Sequence, residues 1–282
     1  MTAIAVRDLR KAYGELEAVR GISFDVARGE VFGLLGPNGA GKTTTVEILE
    51  GYRRRDGGAV EVLGADPASA GGDWRGRIGV VLQSSAMYET LTVAESLRLF
   101  AGYYEASRPV DEVVELVGLG DKQDEVVRRL SGGQRRRLDL GLALVGDPEL
   151  IFLDEPTTGF DPHARRQAWE TLRALRSLGK TILLTTHYLD EAERLADRVA
   201  VLRRGQIVAV GPPRELVGST LATEIRYREN GREVVVETDR PTQVLHELTA
   251  KALAENRELE GLAVTRPTLE DIYLSLTQEE AE

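Results

Sequence analysis

The 282-residue chain reads as an α/β protein built on a largely parallel sheet, followed by a smaller α+β domain. Three features carry this reading. Apolar runs at Val31–Leu35, Ile78–Leu82, Leu150–Leu153 and Thr181–Leu184 are continuous rather than alternating, as in strands buried on both faces. The runs lead into Gly36, Gln83, Asp154-Glu155 and, past Thr185-Thr186, His187, and open α/β sheets place their ligands at the carboxyl ends of strands. Helix-compatible stretches separate the runs, as in strand–helix–strand units.

In chain order, residues 1–30 read as strands with turns, and Ala27-Arg28-Gly29-Glu30 turns into the first buried run. Gly36-Pro37-Asn38-Gly39-Ala40-Gly41-Lys42-Thr43-Thr44 then fits G-x-x-x-x-G-K-[ST] without a mismatch. Thr43–Leu49 lacks Gly and Pro and carries Val46, Ile48 and Leu49, as a helix with one buried face does. A strand before and a helix after are the context this motif needs, and they disfavour a plain glycine turn with a solvated lysine. Glycines let consecutive N–H groups turn toward an anion. The helix start adds unpaired donors and partial positive charge. Lys42 suits the β- and γ-phosphates of a nucleotide, and the Thr43 hydroxyl suits Mg²⁺. The loop alone does not choose among kinases, GTPases and transport ATPases.

Residues 56–76, rich in Gly, Ala and Asp, read as loop. Gln83 closes the second run, where a neutral amide can touch the metal or the attacking water; taken alone it is a surface polar residue. Residues 92–129 read as helical, with breaks near Ser107-Arg108-Pro109 and Gly118-Leu119-Gly120. Leu130-Ser131-Gly132-Gly133-Gln134 precedes a helix from Arg135 to Val145. Ser131 is a natural N-cap, and the two glycines bare the amides beyond it. Arg135-Arg136-Arg137 reads as a solvated face. One nucleotide has no need of two anion-ready helix starts far apart in sequence, which points to a nucleotide shared between two chains. Asp154 suits the Mg²⁺ shell, directly or through water. Glu155, projecting differently, suits a general base or water-positioner. His187 stands at the same inferred sheet edge.

At these residues the chain resembles the ATP-binding cassette ATPases. The matching positions are Gly36–Thr44, Gln83, Leu130–Gln134, Asp154-Glu155, the turn Gly159-Phe160-Asp161-Pro162, and His187, in the family's order and spacing. Leu130–Gln134 is the most specific of them, and Phe160 replaces a more usual leucine. The resemblance implies a P-loop NTPase (RecA-like) core with an N-terminal antiparallel β subdomain and a helical subdomain at about 84–145, a cassette spanning 1–215. It implies ATP and Mg²⁺ as cofactors. Tyr13, at the family's adenine-stacking position though by itself a packing residue, would hold the nucleotide with Gly36–Thr44 and Ser131-Gly132-Gly133-Gln134. Thr43, Gln83 and Asp154 would hold the metal, and Lys42, Gln83, Glu155 and His187 would carry the chemistry. Two copies would sandwich two ATPs, each phosphate loop facing the other copy's Ser131-Gly132-Gly133, with Asp161 at the interface. Val31–Asn38, Arg135–Leu140 and Arg266–Tyr273 look like the daunorubicin-resistance type of exporter ATPases, which serve drug, lipid and polysaccharide efflux.

Composition bounds the alternatives. The chain is 42% hydrophobic, enough for a core, and has no cysteine, which excludes disulfides and thiolate chemistry and fits a reducing compartment. Its start lacks the pattern of a secretory signal, and no run approaches the roughly 18 apolar residues of a membrane span. A transporter role therefore expects a separate integral membrane permease, with this chain cytoplasmic and peripheral on the membrane's cytoplasmic face. The net charge of −10 argues against non-specific nucleic-acid binding and against electrostatic attachment to anionic lipid. It weighs, with the lack of tandem cassettes or long coiled-coil insertions, against a soluble cassette ATPase acting on nucleic acid or the ribosome. A P-loop kinase or GTPase has no use for Leu130–Gln134. After Gly211-Pro212-Pro213 the pattern changes. Glu224–Tyr227 and Glu233–Glu237 flank Asn230-Gly231 as a hairpin, Thr242–Glu255 and Thr268–Leu276 read as helices, and Leu262–Val264 reads as a strand. These form an expected small α+β domain at 218–282, ending in an acidic tail Gln278–Glu282 and assigned to dimer stability or coupling to the membrane subunit.

Overall fold

The computed structural model describes residues 1–81, 88–220, 223–229 and 232–265, the side chains of 162–163 and 217–220 excepted. Gln83, the Asn230-Gly231 turn, the Arg266–Tyr273 segment, the expected helix Thr268–Leu276 and the tail Gln278–Glu282 lie outside the described residues. The chain divides into two compact units, Met1–Val210 and Gly211–Glu282.

In the first unit, β1 (Thr2–Tyr13) and β2 (Leu16–Ala27) form an antiparallel ribbon, and β3 (Val31–Leu35) runs into the glycine loop and α1 (Lys42–Leu49). Then come β4 (Gly57–Val62), α2 (Gly72–Gly76), β5 (Ile78–Val81), α3 (Val93–Ala101), α4 (Val110–Leu116), two 3₁₀ turns, and α5 (Gly132–Leu144). The unit continues with β6 (Leu150–Asp154), α6 (Pro162–Ser177), β7 (Thr181–Thr186), α7 (Leu189–Leu195), β8 (Arg198–Arg203) and β9 (Gln206–Gly211). The central sheet has the order β5-β6-β7-β3-β8-β9, parallel from β5 to β8. A second sheet, β2-β1-β4, is antiparallel.

The central strands alternate their side chains between two cores, which is why they read as unbroken apolar runs. Phe32, Leu34, Leu150, Phe152 and Leu183 join Ile4, Leu9, Ile48 and Leu49 on the side of the antiparallel sheet and α1. Val31, Ile151, Leu153, Ile182 and Leu184 join Leu97, Val113, Leu138 and Trp169 on the side of α3–α6. Helices α3, α4 and α5 pack closely, because a Cβ on Gly141 would stand 3.2 Å from Leu97 and 3.4 Å from Val113.

Residues 56–76 correct the loop reading, because they contain β4 and α2. Pairing with β1 (Ile4 opposite Val62) buries Val60 and Val62, and this tertiary term outweighs the weak strand propensity of Gly57-Gly58-Ala59. In the second unit, Pro213 opens α8 (Pro213–Thr220) rather than simply ending structure, since proline suits a first helical position. There β10 (Thr223–Glu229) pairs antiparallel with β11 (Arg232–Thr238) and with β12 (Glu260–Thr265), and α9 (Pro241–Ala254) packs on β10, burying Ile225 and Tyr227. No helix among the described residues is long and apolar enough to cross a membrane.

Candidate nucleotide site

The glycine loop is shaped by what surrounds it. A Cβ on Gly36 would lie 2.4 Å from the Leu202 carbonyl oxygen, and one on Gly41 2.4 Å from that of Ala18. Gly41 also has φ +102°, so glycine is required there on both counts. Ala40 is buried, whereas Pro37, Asn38 and Gly39 are exposed at the loop's crest. Lys42 is 5% exposed, and its Nζ donates to the carbonyls of Gly36 (2.8 Å) and Pro37 (3.2 Å). Nζ also lies 3.4 Å from Glu155 Oε1.

Three strand ends bring the other side chains to this loop, because β3, β6 and β7 are adjacent and parallel. Thr43 Oγ1 donates to Asp154 Oδ2 (3.2 Å), and Thr185 Oγ1 donates to Asp154 Oδ1 (2.5 Å). The same Thr185 hydroxyl accepts the Glu155 N–H (2.9 Å). His187 Nδ1 stands 3.2 Å from Glu155 Oε1 without the alignment of a hydrogen bond, and Thr158 Oγ1 donates to Glu155 Oε2 (3.1 Å). Burial pushes the Glu155 carboxyl up, but His187, Lys42 and Thr158 together outweigh it and hold it below the ordinary glutamate range. Glu155 therefore stands ionised between a lysine and an imidazole.

Tyr13 is 40% exposed; its hydroxyl is 3.5 Å from Thr44 Oγ1, with Arg53 5.2 Å and Lys11 5.6 Å from the ring centre. A flat, accessible aromatic face beside cations and the loop suits a stacked base with its phosphates. Burial first, then repulsion from Asp154 and Glu47, push the Glu50 carboxyl up to about 8.

Ser131 and Gln134 form a reciprocal capping box, with Gln134 N–H to Ser131 Oγ at 3.2 Å and Ser131 N–H to Gln134 Oε1 at 2.8 Å. This helix start lines a cavity of about 810 Å³ with Glu155, Thr158, Gly159, Phe160 and Asp161. None of residues 36–44 lines it among the described residues. Asp161 caps α6 through the Ala164 N–H (2.9 Å). The structure thus gathers Tyr13, the loop, Asp154, Glu155 and His187 at one place, and sets Ser131–Gln134 across a cavity on the far side of Glu155.

Arg135-Arg136-Arg137 corrects the reading of a uniformly solvated face. Arg135 reaches outward to the Arg128 carbonyl (3.0 Å), and Arg137 reaches the Gly118 carbonyl (2.8 Å). Arg136 turns inward onto the end of β6, where it donates to the carbonyls of Asp154 and Pro156. Spacing does not single it out: Arg136 precedes the buried Leu140 by four residues and Ala143 by seven, but Arg137 precedes the buried Gly141 and Leu144 by the same intervals. Thr185 was also missed as a site residue, because a β-branched residue in an apolar run reads only as a strand former.

A family model described as ABC transporter matches residues 19–158. The daunorubicin resistance ATP-binding protein DrrA3 of Streptomyces coeruleorubidus is 41% identical to the chain, covering 98% of it and 96% of that relative. The Nod factor export ATP-binding protein I of Rhizobium sp. (strain N33) is 40% identical, covering 99% and 98%. Among solved structures, an ATP binding subunit of an ABC transporter superposes with a TM-score of 0.72 at 26% identity, over 98% of this chain and all of that one. An ATP-binding cassette of an ABC transporter in its ADP conformation superposes at 0.65 and 27% identity, over 76% and 92%. With the loop, the paired carboxylates and the Leu130–Gln134 helix start in the arrangement described, the chain belongs to the ABC transporter ATPases, and it binds and hydrolyses ATP.

Proposed function

We propose that the chain is the energy-converting subunit of an export transporter, hydrolysing ATP with Mg²⁺ as a pair of copies and driving a separate integral membrane permease from the cytoplasmic face. The cargo class is that of the relatives' branch, a drug-like, lipid or polysaccharide compound. The functional division is a cassette at 1–215 and an appended domain at 218–282. The observation that carries the hydrolytic part is the sharing of Glu155 Oε1 between Lys42 Nζ (3.4 Å) and His187 Nδ1 (3.2 Å), at the same strand end as the Thr43–Asp154 pair.

The residues fit ATP and a divalent cation. Thr43 and Asp154 offer hard oxygen donors, which Mg²⁺ takes together with phosphate oxygens rather than from an all-protein cage. Among the described residues there is no cluster of three or more His, Asp or Glu that could hold a metal alone. Gln83 is assigned to the same cation and to the attacking water. When bound, the metal would neutralise phosphate charge and orient the γ-phosphate.

Hydrolysis forms a bond from water oxygen to the γ-phosphorus and breaks the bond to the β–γ bridging oxygen. Lys42, desolvated within its loop, presents its charge to the β/γ-phosphates, which compete with Glu155 for it. Glu155, ionised, accepts a hydrogen bond from the water and aligns it. His187, with Nδ1 3.2 Å from that carboxylate, contacts the γ-phosphate. Tyr13 stacks on adenine. Ser131-Gly132-Gly133, lining a cavity that none of residues 36–44 lines among the described residues, serves the nucleotide on the second copy, and Asp161 borders that contact. A role on nucleic acid is disfavoured by the net charge of −10.

Glu155→Gln tests this. The amide keeps size and polarity but loses charge. ATP affinity should stay within a few-fold while turnover falls by about 100-fold or more, and the variant should elute as an ATP-dependent dimer in magnesium. Turnover at the wild-type rate would sink the assignment of Glu155. A monomer under conditions where the wild type dimerises with ATP would sink the shared-site reading.

A further inference from the structure

The backbone around Glu155 is held from outside its own strand. Glu155 has φ +47°, in the left-handed region that a non-glycine residue occupies only when its surroundings impose it. Its N–H is taken by Thr185. The carbonyls on either side, of Asp154 (3.0 Å, from Nη2) and Pro156 (3.3 Å, from Nε), both accept from Arg136. This side chain is 13% exposed, and its Nη1 has Asp139 Oδ2 at 3.9 Å. Burial lowers its pKa, with Asp139 and Asp154 opposing, but an arginine keeps its charge in proteins.

The planar fork is what makes two carbonyls two residues apart reachable by one side chain. Arg136 also belongs to the helix that Ser131-Gly132-Gly133 begins. Five residues at 1.5 Å rise put it about 7.5 Å along the axis from Ser131, inside one rigid, capped element. A shift of the helix start cannot leave the Asp154–Pro156 backbone untouched without breaking both bonds.

We propose that Arg136 is a positioning residue for Glu155: it ties the backbone on both sides of that carboxylate to the Ser131–Gly133 helix, so that the placement of this helix start sets where Glu155 points. The proposal rests on the reading of Glu155 as the water-aligning carboxylate. It makes Arg136 the mechanical link, within one chain, between the helix start facing one nucleotide and the carboxylate serving the other. Arg135 and Arg137, which leave the helix in other directions, have no such part.

The test compares Arg136→Met, Arg136→Lys, Arg137→Met and Glu155→Gln in the full chain, measuring kcat at saturating ATP, equilibrium affinity for ATP, and Tm. Arg136→Met removes both carbonyl bonds and should lower kcat about 10- to 100-fold, with ATP affinity changed less than about threefold. Arg136→Lys keeps the charge and one donor direction and should recover part of kcat. Arg137→Met, which loses its bond to the Gly118 carbonyl, should leave kcat within about twofold even if Tm falls. The proposal is overturned if Arg136→Met turns over like wild type, if its loss is in affinity rather than kcat, or if Arg137→Met loses as much kcat at equal Tm. Should Arg136→Met not fold, Arg136→Lys decides: reduced kcat at unchanged affinity supports the link, and unchanged kcat refutes it. An active Glu155→Gln would instead remove the reading of Glu155 and the link with it, whereas an inactive Glu155→Gln beside an active Arg136→Met removes the link alone.

Discussion

Glu191 offers a perturbation whose size and pH dependence follow from the structure. It sits in the first turn of α7, fully buried. Its Oε1 accepts from Thr157 Oγ1 (2.8 Å) and Trp169 Nε1 (3.1 Å), and its Oε2 has no hydrogen-bond partner among the described residues. Burial pushes its carboxyl above the ordinary glutamate range, outweighing the donors that pull it down. A carboxyl raised in the folded state binds its proton more tightly there than in the unfolded chain. Its contribution to stability is therefore largest below the unfolded pKa of about 4.3 and declines as pH rises, until the folded value is passed. Glu191→Gln removes the titration but keeps an acceptor for Thr157 and Trp169, so it should lie within about 1 kcal/mol of wild type at pH 5. It should then gain on wild type as pH rises, by at most about 1.4 kcal/mol per pH unit. Glu191→Ala orphans two buried donors at about 1–3 kcal/mol each, so a loss of about 2–6 kcal/mol is expected at pH 5, shrinking as pH rises because alanine too is free of the titration. Urea unfolding at pH 5, 7 and 8.5, followed by tryptophan fluorescence, measures this. The chain's two tryptophans, Trp74 and Trp169, both lie in the Met1–Val210 unit, so the signal reports that unit. If the Gln variant keeps the wild-type pH slope, or loses as much stability as the Ala variant, the picture of a buried, donor-holding Glu191 with a raised carboxyl pKa is wrong.

Lys42→Ala removes a charge desolvated within the phosphate loop and should weaken ATP binding by about 100-fold or more, read by equilibrium binding of ATP; unchanged affinity would contradict its phosphate role. Tyr13→Ala should weaken ATP binding about tenfold by loss of base stacking while Tyr13→Phe leaves it unchanged. The same pair assayed with inorganic triphosphate should show no difference, because the stacking partner is absent.

The site was legible in the sequence where chemistry follows a strand end by a fixed number of residues. Gly36–Thr44, Asp154-Glu155 and His187 each close a run of apolar residues, and a parallel sheet carries all such ends to one edge, so local reading sufficed. It failed where the cause is distant in sequence. β4 exists because Val60 and Val62 find β1, and nothing within 56–76 announces that. Arg136 is buried because Asp154 and Pro156 present two carbonyls to it, and a run of three arginines does not say which of them turns inward. The same limit applies at the heart of the site. Glutamate has no local preference for φ +47°, and the left-handed conformation costs about 1–2 kcal/mol. Glu155 adopts it because Thr185 takes its N–H and Arg136 takes the carbonyls on either side. Its aim is thus a property of three elements, β6, β7 and α5, rather than of the Asp-Glu pair that reveals it. A carboxylate held in this way responds to displacement of any one of those elements, which is what an ATPase needs if hydrolysis is to wait for a second copy to arrive.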